Sequence, residues 1–181
     1  MISSRKKPPL LPSETLRRVL RVAALDGRIL LFVAGFFAIL SASNAEVVAA
    51  IVGCAAAGAG ALELHGIGQI RSGDSRGADW LVRSQLILLA VILFYVAWRI
   101  TTFDFEPYRS RLLPLMQTPL FQNALEEMHI TVDQYLSLLA RLFQWGYVVV
   151  GVVSIFFQGG LAVYYHNRRR AIERALEIDS A

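Results

Sequence analysis

Between Arg28 and Glu46 this chain has no Asp, Glu, Lys or Arg, and the same holds from Glu46 to Glu63, from Arg83 to Arg99 and from Arg141 to Arg168. No other feature constrains the fold as strongly. A helix rises about 1.5 Å per residue, so about 20 apolar residues cross a hydrocarbon core about 30 Å thick. Four spans are predicted on this basis: Arg28–Ala42, Val47–His65, Leu81–Ile100 and Leu142–Tyr165. Charged residues make up only 18% of the 181 positions, below the share of about a quarter usual in water-soluble domains. The expected fold is an all-α integral membrane protein forming a single membrane domain. It is a four-helix transmembrane bundle with an N-terminal amphipathic helix and a short outer interfacial helix.

Basic residues predict the direction of the spans, because loops rich in Lys and Arg stay on the cytoplasmic side. Arg5, Lys6, Lys7, Arg17, Arg18, Arg21 and Arg28 precede the first span, and Arg71, Arg76 and Arg83 lie between the second and third. Arg168, Arg169, Arg170 and Arg174 follow the fourth. The other side holds only Arg99, Arg109, Arg111 and Arg141. Both termini are therefore expected in the cytoplasm. The heavy use of Arg over Lys suggests a bacterial chain, and hence an inner membrane. The net charge of +4 lies next to the spans and is read as an orientation signal, not as a nucleic-acid surface. The run Ile29–Leu40 followed by "SASNAE" imitates a signal peptide cleaved after Ala45. Such peptides usually run to about 15–30 residues, which favours a span here.

Pro12 and Ser13 open a helix, with Ser13 expected as its N-cap. Glu14, Arg17, Arg18 and Arg21 share one stripe, and Leu16, Val19, Leu20 and Ala23 another. Two readings stand side by side. The segment up to residue 27 lies along the leaflet surface, separated from span one by the turn-forming Asp26-Gly27 pair, or it extends that span into the cytoplasm. Residues 101–131 form the outer segment, broken by Pro107, Pro114 and Pro119. Within it Thr118-Pro119 starts a short helix, and Phe103, Phe105 and Tyr108 suit an interfacial aromatic belt. Residues 166–181 continue the last helix as a basic cytoplasmic tail.

The most chemically varied stretch is "HGIGQIRSGDSRGADWLVRSQ", residues 65–85. It lacks the GK[ST] ending of a phosphate-binding loop and the strand–helix setting of a dinucleotide fingerprint. Its glycines are read as helix ending and turn. Cys54, the sole cysteine, is a small packing residue in an apolar run. Glu126, His129 and Asp133 have ligand-like spacing. A carboxylate-bridged site needs the Glu-x-x-His pair twice, however, and Thr131 with Gln134 makes a capping box that begins the last helix within the trio. No metal, cofactor or nucleic acid is expected.

Two constellations remain. An antiparallel hairpin of spans two and three sets Glu63 near Arg83 at one interface and Glu46 near Arg99 at the other, as structural charge clips. On the last span Gln144, Tyr147, Gly151, Ser154, Gln158, Ala162 and Tyr165 recur every three or four residues, making one polar and small stripe. Hydrogen-bonding groups avoid lipid tails, so the stripe faces protein or water. Ala49, Gly53, Ala57, Gly60 and Ala61 of span two complement it as a close-packing surface. The main reading is a packed seam, and the alternative is a wetted pathway.

No motif names a reaction. The expectation is a non-enzymatic scaffold or subunit of a membrane assembly. Its partners are the lipid bilayer and a second copy or another membrane protein. The runner-up is a small oligomeric channel or transporter lined by the Gln144–Gln158 stripe. A membrane enzyme using Glu63, His65, Asp74 and Asp79 comes third.

Overall fold

The computed structural model describes residues 11–179; Arg5, Lys6 and Lys7 lie outside them. Every regular element among the described residues is a helix: α1 Pro12–Ser43, α2 Val47–Arg71, α3 Gly77–Thr101, α4 Glu106–Met116, α5 Pro119–Glu127 and α6 Val132–Asp179. Helices α1, α2, α3 and α6 are long and apolar enough to cross a membrane.

The helices outrun the apolar runs that reveal them. α1 is unbroken through Asp26-Gly27, so among the described residues the basic segment and the first apolar run are one helix and not two. The reason is packing. A Cβ on Gly27 would stand 3.2 Å from the Gly60 carbonyl oxygen, and one on Gly60 would stand 2.8 Å from that of Gly27. This glycine pair lets two backbones touch, as small residues do between membrane helices. Farther along, Gly53 abuts Ala38 in the same way. The small face of α2 thus packs on α1, not on the α6 stripe. Pro12 occupies the first helical turn with Leu11 as N-cap, two positions before the expected Ser13 cap.

α2 continues past His65 to Arg71, and here too glycine contact decides. Gly66 and Gly77 oppose each other where α2 meets α3, with a Cβ on Gly66 reaching 2.8 Å from the Gly77 oxygen and 3.0 Å from Trp80 Cβ. Within residues 65–85, then, only Gly73 is a turn glycine, with φ of 88°.

Three helices end in one device. In each, the residue after the C-cap takes a left-handed φ, and the two amides that follow the cap bond back into the last turn. Gly73 does this after α2, with Asp74 N–H donating to the Gln69 carbonyl at 2.9 Å. Ala45 does it after α1 at φ 59°, with Glu46 N–H donating to Ser41 at 2.9 Å. His129 does it after α5 at φ 54°, with Ile130 N–H donating to Leu125 at 3.1 Å. Two of the three carry a side chain where glycine is the unstrained choice.

The described chain forms two compact units, one of them Leu93–Val153, and the division falls within α3 and α6. In the first unit Val19, Ala23, Ile67, Ile70, Leu81, Tyr165 and Ile172 are buried together, so α1, α2, α3 and α6 share a core. The second unit holds two short helices where one was expected. Pro107 opens α4 and Pro119 opens α5, with Thr118 as N-cap as anticipated. The capping box forms: Gln134 N–H donates to Thr131 Oγ1 at 3.2 Å, and Thr131 N–H donates to Gln134 Oε1 at 2.9 Å. It begins α6 and separates Asp133 from Glu126 and His129.

Candidate functional site

Glu63 is the chemical centre of the first unit. It lies on a helix of Ala, Gly and Leu, and it is 0% exposed. A carboxyl group removed from water needs donors, since leaving a buried acceptor unmet costs about 1–3 kcal/mol. Tyr165 of α6 donates its hydroxyl to Glu63 Oε1 at 2.8 Å. Gln85 of α3 donates Nε2–H to Glu63 Oε2 at 3.1 Å and to Asp26 Oδ2 of α1 at 2.9 Å. Carboxylates only accept, so the amide must present its nitrogen to this pair. Its Oε1 is buried and has no hydrogen-bond partner among the described residues. Gln85 and Tyr165 are themselves buried, and Asp26 is half-buried. Four side chains from four helices thus meet in one closed polar cluster.

The pairing expected from sequence is different. Arg83 forms no ion pair with Glu63; its guanidinium carbon lies 5.6 Å from the centre of the Trp80 ring, and the residue is exposed. Gln85 is two positions farther along α3. In a helix a two-residue step turns a side chain toward another face, so the residue that meets Glu63 excludes Arg83 from the same place. Sequence reasoning passed over Asp26 as a turn residue, left Gln85 unmentioned and counted Tyr165 only as part of a stripe. The available signal was that Asp26, Glu63 and Gln85 are among the polar residues at the ends of three apolar runs.

The rest of the 65–85 stretch is structurally committed. His65 contacts the Trp80 ring edge-on at 5.6 Å and shares a 3.1 Å hydrogen bond with Gln69. Asp74 Oδ1 accepts from Arg76 N–H at 2.9 Å, forming a local turn. Asp79 pairs with Arg169 of α6 at 2.8 Å, and Arg169 also bonds Glu173 at 3.1 Å.

In the second unit Arg99 donates Nε–H to the Tyr147 hydroxyl at 3.0 Å and lies 5.4 Å from that ring's centre. It also donates to Tyr108 at 3.4 Å. Glu46, its expected partner, is exposed just before α2 and provides that helix's N-cap backbone. The aromatic rings of this unit stack, with Phe105 6.1 Å from Tyr108 and Tyr108 5.5 Å from Phe143. Asp133 pairs with Arg109 at 3.2 Å.

Along the α6 stripe, Gln144 is exposed, Tyr147 half-buried on Arg99, and Gly151 buried with Val96 and Leu93 beside it. Ser154 and Gln158 are half-buried; Ala162 and Tyr165 are buried. Gln158 Oε1 is buried without a hydrogen-bond partner among the described residues. No family model matches the chain, and no curated protein or solved structure matches it either.

Proposed function

We propose that this chain is a multi-pass inner-membrane protein of a bacterium, inserted through α1, α2, α3 and α6 with both termini cytoplasmic. In this reading it serves as a non-enzymatic scaffold or subunit of a membrane assembly. One observation carries the proposal: the distribution of polarity is inverted. Phe32 is 74% exposed, Phe94 66% and Phe156 76%, whereas Glu63 is 0% and Gln85 1%. In water this arrangement leaves the apolar surface unburied and hides the polar groups; in lipid it satisfies both.

The scaffold reading follows from what the polar side chains do. Asp26, Glu63, Gln85 and Tyr165 bond to one another across four helices, which leaves an apolar exterior for lipid and membrane partners. Reporter fusions test the insertion: one in the turn at residues 117–118 behaves as periplasmic, and one at the C-terminus as cytoplasmic. Recovery of the intact chain in a detergent-free aqueous extract refutes the proposal. Native mass measurement from gentle detergent tests the assembly role; a lone copy under all conditions counts against it.

A second reading is favoured by Gln158, whose unpartnered buried oxygen suits a wetted stripe in an oligomeric channel. Ion flux in liposomes that vanishes in Gln158→Leu supports that reading.

A further inference from the structure

Arg17, Arg21, Arg28 and Arg71 line a groove of about 580 Å³ whose walls also include Leu20 and Leu25. Three of the arginines stand on α1 at helical spacing, and the fourth ends α2. None forms an ion pair among the described residues, although carboxylates elsewhere take up Arg109 and Arg169. Four guanidinium groups that line one groove and form no ion pair are suited to a phosphate, which their planar forks bind bidentately.

The same face of α1 then changes character. Leu25, Ile29, Phe32 and Phe36 follow at steps of three or four residues and are 63%, 54%, 74% and 59% exposed. A basic groove that opens onto an apolar stripe along one helix has the polarity of an amphiphile, with an anionic head and hydrocarbon tails. A soluble phosphate needs no such stripe. A zwitterionic head carries a cation of its own, which the arginines repel.

We propose that this groove binds one anionic phospholipid, its phosphate held by Arg21, Arg28 and Arg71 and an acyl chain laid along Leu25, Ile29 and Phe32. The site rests on the bilayer insertion proposed above. It distinguishes one bound lipid from the diffuse attraction of basic segments to an anionic leaflet.

The test is native mass spectrometry of the full chain in mild detergent, titrated with phosphatidylglycerol or with phosphatidylcholine of the same acyl chains. Wild type retains one phosphatidylglycerol in preference to phosphatidylcholine. Arg21→Gln with Arg71→Gln weakens retention about 25-fold, and Arg28→Gln alone about fivefold, on the scale of one surface arginine near anionic lipid. Arg170→Gln with Arg174→Gln removes equal charge elsewhere and leaves the bound lipid in place. Equal loss in both double variants overturns the site, as does equal retention of the two lipids. Displacement by inorganic phosphate as effective as by added phosphatidylglycerol overturns it in favour of a soluble anion. The same variants are washed in alkali as membranes before extraction. A protein that stays in the membrane yet shows no lipid preference refutes the site alone, and a protein washed free refutes the insertion.

Discussion

Replacing Tyr165 by Phe removes one oxygen and keeps the ring, so no cavity opens. What is lost is the 2.8 Å bond to Glu63 Oε1, an atom that the fully buried residue cannot re-solvate. Glu63 Oε2 keeps its bond from Gln85. An unmet buried acceptor costs about 1–3 kcal/mol, and about 2 kcal/mol is expected for Tyr165→Phe. The assay is reversible unfolding in mixed micelles with rising denaturing detergent, followed by circular dichroism. A double-mutant cycle isolates the interaction: in a Glu63→Leu background the hydroxyl has no carboxyl to serve, so Tyr165→Phe becomes neutral or stabilising there. The coupling is therefore expected at about 2–3 kcal/mol, within the range for residues in one hydrogen-bond network. Arg83→Gln is the control, because an exposed cation over a ring contributes only about 0.5–1 kcal/mol. Equal cost of Tyr165→Phe in both backgrounds refutes the cluster as a fastening. So does a large loss in Arg83→Gln that is cancelled by Glu63→Gln.

The other expectations concern backbone contact and charge. Gly60→Ala places a methyl against backbone atoms of Gly27 and Leu31 and is expected to cost about 1–3 kcal/mol, whereas Gly58→Ala, with open space around it, is neutral or stabilising by about 0.5–1 kcal/mol. The same unfolding assay compares the two, and equal effects contradict the close α1–α2 approach. Ala45→Gly and His129→Gly each relieve a left-handed backbone and are expected to add about 1 kcal/mol of stability; a loss in either speaks against the turn geometry. Asp133→Asn breaks a solvent-exposed pair with Arg109 and is expected to change stability by less than about 1 kcal/mol in the same titration.

Local chemistry was legible in the sequence wherever it acts through neighbours in the chain. The four apolar runs, the Thr118-Pro119 start and the Thr131/Gln134 capping box are set within one or two turns of helix. Features set by another helix were not. Asp26-Gly27 has the propensity of a turn, but Gly60 lies against Gly27, and the helix continues. Gly66 and Gly68 read as a helix end, but Gly77 makes Gly66 a crossing point. Glu63 was matched to Arg83 by charge and depth, whereas its partners are set by helix rotation and by a residue 102 positions away. Opposite charge attracts at a distance; inside the bundle the donor with the right direction and reach occupies the place.

The order of that cluster along the chain bears on how the protein is made. Asp26 and Glu63 leave the ribosome first, two acceptors set close enough to share one amide, with no donor yet synthesised. Gln85 arrives with α3, and Tyr165 only after α4 and α5. If the chain inserts as proposed, the first hairpin carries an unmet carboxyl pair until Gln85 arrives, and Glu63 Oε1 stays unmet until Tyr165 does, which opposes full entry into hydrocarbon. Biogenesis is therefore expected to finish from the C-terminal end, with α6 locking a hairpin translated more than a hundred residues earlier. A nascent chain stalled before residue 154 is expected to leave the α1–α2 turn open to protease.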